Sequence, residues 1–161
     1  MALSIRRCTI FGHVRVHVLQ LEENSIFAGR ITVARRQIGC MRFCSIVHGS
    51  RTPHRFHCQP DLVLQALEKQ ERGVHGRRTK EAYMQQANDR VRSHFTSVRY
   101  GHAGYCQLAL NCASEITSGA DDQSEMGVFH DLFQPQRAIN LRTRLDEYTP
   151  AGMETGIIYM S

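Results

Sequence analysis

Apolar and polar residues alternate with a period of two over the first part of the chain. The run His13-Val14-Arg15-Val16-His17-Val18 is the clearest case, and Leu19-Gln20-Leu21 continues it with a change of phase. Ile31-Thr32-Val33 and Cys40-Met41-Arg42-Phe43 have the same character. Such alternation marks strands with one buried face. Residues 4–46 are therefore expected to be β, with Ile10, Val14, Val16, Ile26, Ile31 and Val33 turned inward. An internal repeat sharpens this. Ile10-Phe11-Gly12-His13-Val14-Arg15-Val16 recurs as Ile26-Phe27-Ala28-Gly29-Arg30-Ile31-Thr32-Val33, offset by 16 to 17 residues with one insertion. Short strands at that spacing suit the coils of a β-helix, each stacking its apolar side chains on the next. An ordinary meander is the alternative.

Beyond residue 46 the pattern changes. Gly49-Ser50-Arg51-Thr52-Pro53 and Gln59-Pro60 punctuate residues 47–60, which predicts a long basic loop leaving the sheet. Helical spacing appears over 61–72, where Asp61 can cap, and over 78–94, with Gly73-Val74-His75-Gly76 between them. Phe95 to Tyr100 and Gly104 to Leu110 read as two strands. Pro135 suits the first turn of a helix running to about Tyr148, with Ile139, Leu141, Leu145 and Tyr148 spaced for one face. Gly156 to Ser161 reads as a final strand. The expected fold class is mixed and β-rich (α+β). It has stacked β-helix-type strands and an exit loop over 1–60, a helical hairpin insertion over 61–94, and an α+β cap over 95–161, packed as one unit.

The chain's 161 residues suit one domain with a sizeable core, and no apolar run is long enough to span a membrane. The net charge of +5 is unevenly placed. Residues 1–100 hold 17 Lys and Arg against 7 Asp and Glu, whereas residues 101–161 hold 3 against 8. The first part can therefore meet an acidic surface, or its charge can be the solvated face of a sheet. Cysteines stand at 8, 40, 44, 58, 106 and 112, with no CxxC pair and no readable secretion signal. Reduced thiols in a cytoplasmic setting are expected, with no metal and no cofactor. The zinc alternative would use Cys40, Cys44, His57 and Cys58, a spacing foreign to the standard zinc modules.

The densest carboxylate group is Asp121, Asp122 and Glu125, with His130 and Asp131 nearby. Paired carboxylates can do acid–base work or bind a cation. The spacing fits no EF-hand loop, and a solvated loop is the simpler reading. No nucleophile elbow, phosphate loop or dinucleotide motif is present, and no residue is assigned a catalytic role. Arg35, Arg36, Arg51 and Arg55 are the candidate interaction residues. Interleaving such residues with Phe43 and Phe56 can serve single-stranded nucleic acid. Here Phe43 is read as a core residue, so nucleic acid is not expected as the partner.

Several stretches together resemble a known family. They are Gly39-Cys40-Met41-Arg42-Phe43, Gly49-Ser50-Arg51-Thr52-Pro53, Arg55-Phe56-His57-Cys58-Gln59-Pro60, Phe95-Thr96-Ser97 to Gly104-Tyr105, and Asp122 through Tyr148. They resemble the C-terminal region of large uncharacterised bacterial proteins with a right-handed β-helical region, associated with contractile, phage-tail-like particles. The resemblance covers most of the chain outside roughly 66–92, which looks like an extended insertion. It implies a structural or protein-interaction module and supplies no catalytic residues. The strand pattern already under way at Leu3 suggests a part of a larger β-helical protein. Its partner would be a protein or upstream coils of the same polypeptide, and the isolated chain would self-associate. The alternative is a polysaccharide-acting hydrolase or lyase of β-helix type.

Overall fold

Strands this short, apolar on alternate residues, need cover on one face, and they find it in the next turn of the same chain. The computed structural model describes residues 2–70, 77–154 and 156. Its strands are β1 (Ala2–Arg6), β2 (Thr9–Ile10), β3 (Val14–Val16), β4 (Val18–Glu23), β5 (Ile26–Phe27), β6 (Ile31–Val33), β7 (Cys40–Arg42), β8 (Ser45–Ile46) and β9 (His54–Phe56). They form three parallel sheets ordered β1-β4-β7-β9, β2-β5-β8 and β3-β6. Thr9 lies opposite Ile26, Ile26 opposite Ser45, and Ser45 opposite Gln59. The chain is thus a β-solenoid of about three turns, with coils of 17, 19 and 14 residues.

One corner recurs in every coil. Arg7, Asn24, Phe43 and His57 all sit in the left-handed backbone region, with φ between 49° and 51°. Cys8, Ser25, Cys44 and Cys58 follow them, and each of these thiols or hydroxyls donates to the carbonyl two residues back. Cys8 N–H also reaches Ser25 Oγ in the neighbouring coil, at 3.2 Å. A small polar side chain at this corner satisfies backbone that the turn would otherwise leave open. At a second corner the coils approach so closely that a Cβ on Gly29 would collide with the Gly12 carbonyl.

The solenoid interior stacks Leu19, Phe27, Ile31, Val33, Met41, Cys44, Ile46 and Cys58, all buried, with Leu3, Ile5, Ile10, Val14 and Val16 at its first layer. Of the residues expected inward, Ile26 is the exception. It is fully buried on the opposite face of β5, in a second cluster with Val91, Cys112, Ile116 and Met126. The β2-β5-β8 sheet is therefore covered on both faces. The change of phase near Gln20 is a β-bulge, because Leu3 pairs with Leu19 while Ser4 pairs with Leu21. The bulge sends Glu22 inward, level with Ile5 on one side and Met41 on the other.

Residues 47–60 do not leave the sheet as a loop. Val33 N–H bonds Arg51 O at 2.9 Å, β9 pairs with β7, and Ser45 bridges Gln59, so this segment is itself a coil. Its Gly and Pro residues serve the tight corners of a short turn. Arg55 faces inward at the last layer and closes the stack with its guanidinium bonded to Asp61, Ser50 O and Thr52 Oγ1. The helices are α1 (Asp61–Gln70), α2 (Arg77–Arg90), the short α3 (Ser114–Thr117) and α4 (Gln134–Tyr148). The expected break at Gly73 to Gly76 and the final strand from Gly156 to Ser161 lie outside the described residues, Gly156 apart. The two strands expected over 95–110 shrink to isolated bridges, Phe95 with Leu108 and Ser97 with Tyr105. The left-handed Gly101 and Cys106 break the extended backbone there. The apolar stripe of α4 stays uncovered, with no buried residue in the helix. No helix among the described residues is long and apolar enough to cross a membrane.

Glu22 is the unusual member of the interior. It is fully buried, and neither carboxylate oxygen has a hydrogen-bond partner among the described residues. Burial raises its pKa from 4.5 to about 7. The folded state thus holds a proton that the unfolded chain releases between those values, so stability falls as pH rises from 4.5 through 7. Glu22→Gln removes this loss. The variant should gain about 2–3 kcal/mol over the parent between pH 4.5 and pH 8. Denaturant unfolding of both proteins at the two pH values checks it, and a constant difference would contradict it.

Candidate functional site

The left-handed turn at Asn24 gathers the polar groups of the last third of the chain. Asn tolerates this backbone better than most residues because its short amide can bond locally. Here the bonds are long-range. Asn24 Oδ1 accepts from Asp121 N–H at 3.2 Å, which fixes the amide's orientation. Nδ2 then donates to Asp121 Oδ1 at 2.6 Å and to His130 Nε2 at 3.0 Å. The Asn24 carbonyl accepts from Gly127 N–H at 2.8 Å. With Nε2 accepting, the neutral ring of His130 carries its proton on Nδ1, 3.4 Å from Asp131 Oδ1. Arg7 Nη1, from the same corner one coil earlier, holds that Asp131 oxygen at 2.7 Å.

Asp121 and Asp122 therefore do converge, on His130. The two carboxylates and the imidazole each offer one ligand atom, and these lie within 4.8 Å of one another. Asp122 Oδ1 also accepts from Ser124 N–H at 2.9 Å. The donor set is one a divalent cation accepts, but the Asn24 amide already bridges Asp121 and His130. The cluster closes on itself as an anchor that fastens residues 119–133 to the solenoid. Glu125 does not join it. It is buried, and burial raises its pKa to about 7 while nearby His130 pulls it down. Gly127 completes the junction. A Cβ there would press on Thr9 Oγ1 at 2.5 Å and on Ile26 at 3.0 Å.

The cysteine–histidine set does not converge. Cys40 lies on the outer face of β7, half-buried, and His57 is exposed at the corner. Cys44 and Cys58 stack inside as free thiols, and the Cys44 thiol is pushed up by its hydrogen bond with Cys58 and by burial. Cys40 and Cys44 are an even number of residues apart, but the left-handed Phe43 turns the chain between them and leaves Cys40 outside and Cys44 inside.

The arginines form a second site. Six residues, 34–39, join β6 to β7, whereas Thr52 and Pro53 alone separate Arg51 from β9. The long turn overhangs the short one and leaves a groove of about 800 Å³. Arg35, Arg36, Arg51 and His54 line it, beside apolar Ile38, and among the described residues no carboxylate does. Arg36 Nε donates to Thr52 O at 2.9 Å across the groove. Arg55 is separate, committed to Asp61 at 3.1 Å. Asn24 went unnoticed as a functional position in the sequence, as did the shared corner that it forms with Arg7, Phe43 and His57. The signal was the recurrence of a small thiol or hydroxyl residue at 8, 25, 44 and 58.

Set against protein-family models, curated proteins and solved structures, the chain matches none of them.

Asn24→Ala should lower unfolding stability by about 2–4 kcal/mol, through the left-handed backbone and the stranded polar groups of Asp121 and His130. Arg7→Ala, which removes an exposed ion pair at the same corner, should cost less than about 1 kcal/mol. Urea titrations of both variants check the ordering, and equal costs would contradict the anchoring role of Asn24.

Proposed function

We propose that the chain acts by contact, as a β-solenoid interaction module of a larger β-helical assembly, joined through the outer edge of its first coil. The observation that carries this reading is a contrast between layers. Leu3, Ile5, Ile10, Val14 and Val16 are only partly buried, while Leu19, Phe27, Ile31 and Val33 one coil further in are exposed by 1% or less. β1, β2 and β3 are the end strands of their sheets, and each has backbone donors and acceptors on its open side. Solenoids cover such ends, because bare ones pair with other chains. Burying an aliphatic side chain fully is worth about 1.5–3 kcal/mol. Completing five half-covered ones is large beside a total stability of roughly 5–15 kcal/mol.

The occupant that fits is a further parallel coil, from the same polypeptide or from a protein partner. The resemblance to β-helical proteins of phage-tail-like particles supplies the setting, a bacterial structural accessory. Six uncombined thiols suit a cytoplasmic compartment. The polysaccharide-acting alternative calls for paired carboxylates along the stacked strands. The outward carboxylate on the described strands is Glu23, held between Arg6 and Arg42, so no specific observation favours that reading.

Sedimentation of the purified chain across concentration and salt tests the proposal. Association at micromolar concentration that persists at high salt is the expected result, since an apolar edge is not screened. Val14→Lys should return the chain to monomer with its circular dichroism unchanged. A wild-type chain that stays monomeric at every concentration would contradict the proposal.

A further inference from the structure

The cationic groove continues into an aromatic ledge. His54 lines the groove and opens β9, and Phe56, two residues on, shares its outer face. Arg42, opposite Phe56 on β7, places its guanidinium 5.9 Å from the ring centroid. The His57 ring lies 4.3 Å from Phe56, and Phe43 packs against both, at 6.1 Å and 5.5 Å. Phe43 thus stands at the outer corner, not in the core, because its left-handed backbone gives the interior places to Met41 and Cys44. The sequence pattern turns Phe43 inward, which speaks against nucleic acid; the structure turns it outward, where it can support a stacked base.

The ledge is accessible, with Phe56 45% exposed. From His54 to His57 the strand runs about 10 Å, so groove and ledge form one strip. The strip carries Arg35, Arg36, Arg51 and Arg42. The carboxylate of Glu23 on this face is balanced by Arg6 and Arg42, at 3.8 Å and 3.7 Å.

We infer that this strip binds single-stranded nucleic acid, with phosphates in the Arg35–Arg36–Arg51 groove and a base stacked on Phe56 beside Arg42 and His57. Cationic grooves with adjoining aromatic faces bind unpaired strands in this way, since every base offers a ring to stack. An acidic protein surface would use the charges and leave the ledge idle. A duplex keeps its bases stacked on one another and out of reach of Phe56. The inference is independent of the coil-edge proposal, which uses the opposite end of the solenoid and is read by sedimentation.

Fluorescence anisotropy with the full chain at low salt tests it, using three labelled probes of equal length: oligothymidylate, an abasic deoxyribose-phosphate strand and a polyglutamate peptide. The oligothymidylate should bind tightest, with an affinity that falls as salt is raised. Phe56→Ala should weaken it by about 5- to 100-fold and leave the abasic strand unaffected. Phe56→Trp should retain binding, which separates stacking from a folding defect. Arg35→Ala combined with Arg51→Ala should weaken both strands. Equal affinity for thymidylate and abasic strands, tighter binding of polyglutamate, or no binding of thymidylate would each overturn the inference.

Discussion

A left-handed residue followed by a small hydrogen-bonding one turns every coil at the same corner, and the remaining structure hangs on that turn. Arg7, Asn24, Phe43 and His57 adopt the backbone, while Cys8, Ser25, Cys44 and Cys58 secure it through the carbonyl two positions earlier. A non-glycine residue in this region costs about 1–2 kcal/mol. The fold accepts that cost at Arg7, Phe43 and His57, and a smaller one at Asn24, because the turn aligns β1-β4-β7-β9 with β2-β5-β8 and so stacks one apolar layer on the next. Between corners the coils vary in length, so the ladder keeps register while the other turns are free to differ.

That freedom is where the surfaces with chemical character arise. The six-residue turn 34–39 overhangs a two-residue one and makes the arginine groove. The left-handed residue itself points away from the core, so its identity sets what each coil presents. At Asn24 it anchors Asp121 and His130. At Phe43 and His57 it builds the aromatic ledge. Ile26 faces outward beside the corner and seeds the second cluster, which lets residues 91–126 cover the β2-β5-β8 sheet. The cost of the same economy is visible at Glu22, where a bulge delivers a carboxylate into the interior with no hydrogen-bond partner among the described residues.

The stacked-strand architecture was legible in the sequence because period-two alternation reports on the buried face and the recurrence gives the coil length, although its Ile-Phe match is one residue out of the observed register, which pairs Ile10 with Phe27. The third coil was missed because its strand, His54–Phe56, inverts the usual pattern, with arginine inside and phenylalanine outside, and because Gly49, Pro53 and Pro60 read as loop punctuation. Phe43 and Ile26 were misplaced for one reason: alternation counts parity along a strand, and a left-handed corner resets it. The carboxylates Asp121 and Asp122 were found by density alone, and Glu125 was grouped with them although it is buried apart. The corner recurrence marks the position of Asn24, but its partners were out of reach, since they lie 97 and 106 residues away. Arg35, Arg36 and Arg51, close in sequence, line one groove, whereas Arg55 faces inward, which parity along β9 shows once that strand is recognised.

The central claim is that one corner, repeated four times, registers the coils. Nuclear magnetic resonance of the labelled chain measures it directly, through backbone φ at Arg7, Asn24, Phe43 and His57 and through contacts between successive members of the series Cys8, Ser25, Cys44 and Cys58. The account predicts positive φ at all four residues and cross-coil contacts linking each member to the next. Negative φ at these positions, or contacts that pair the segments in another register, would contradict it.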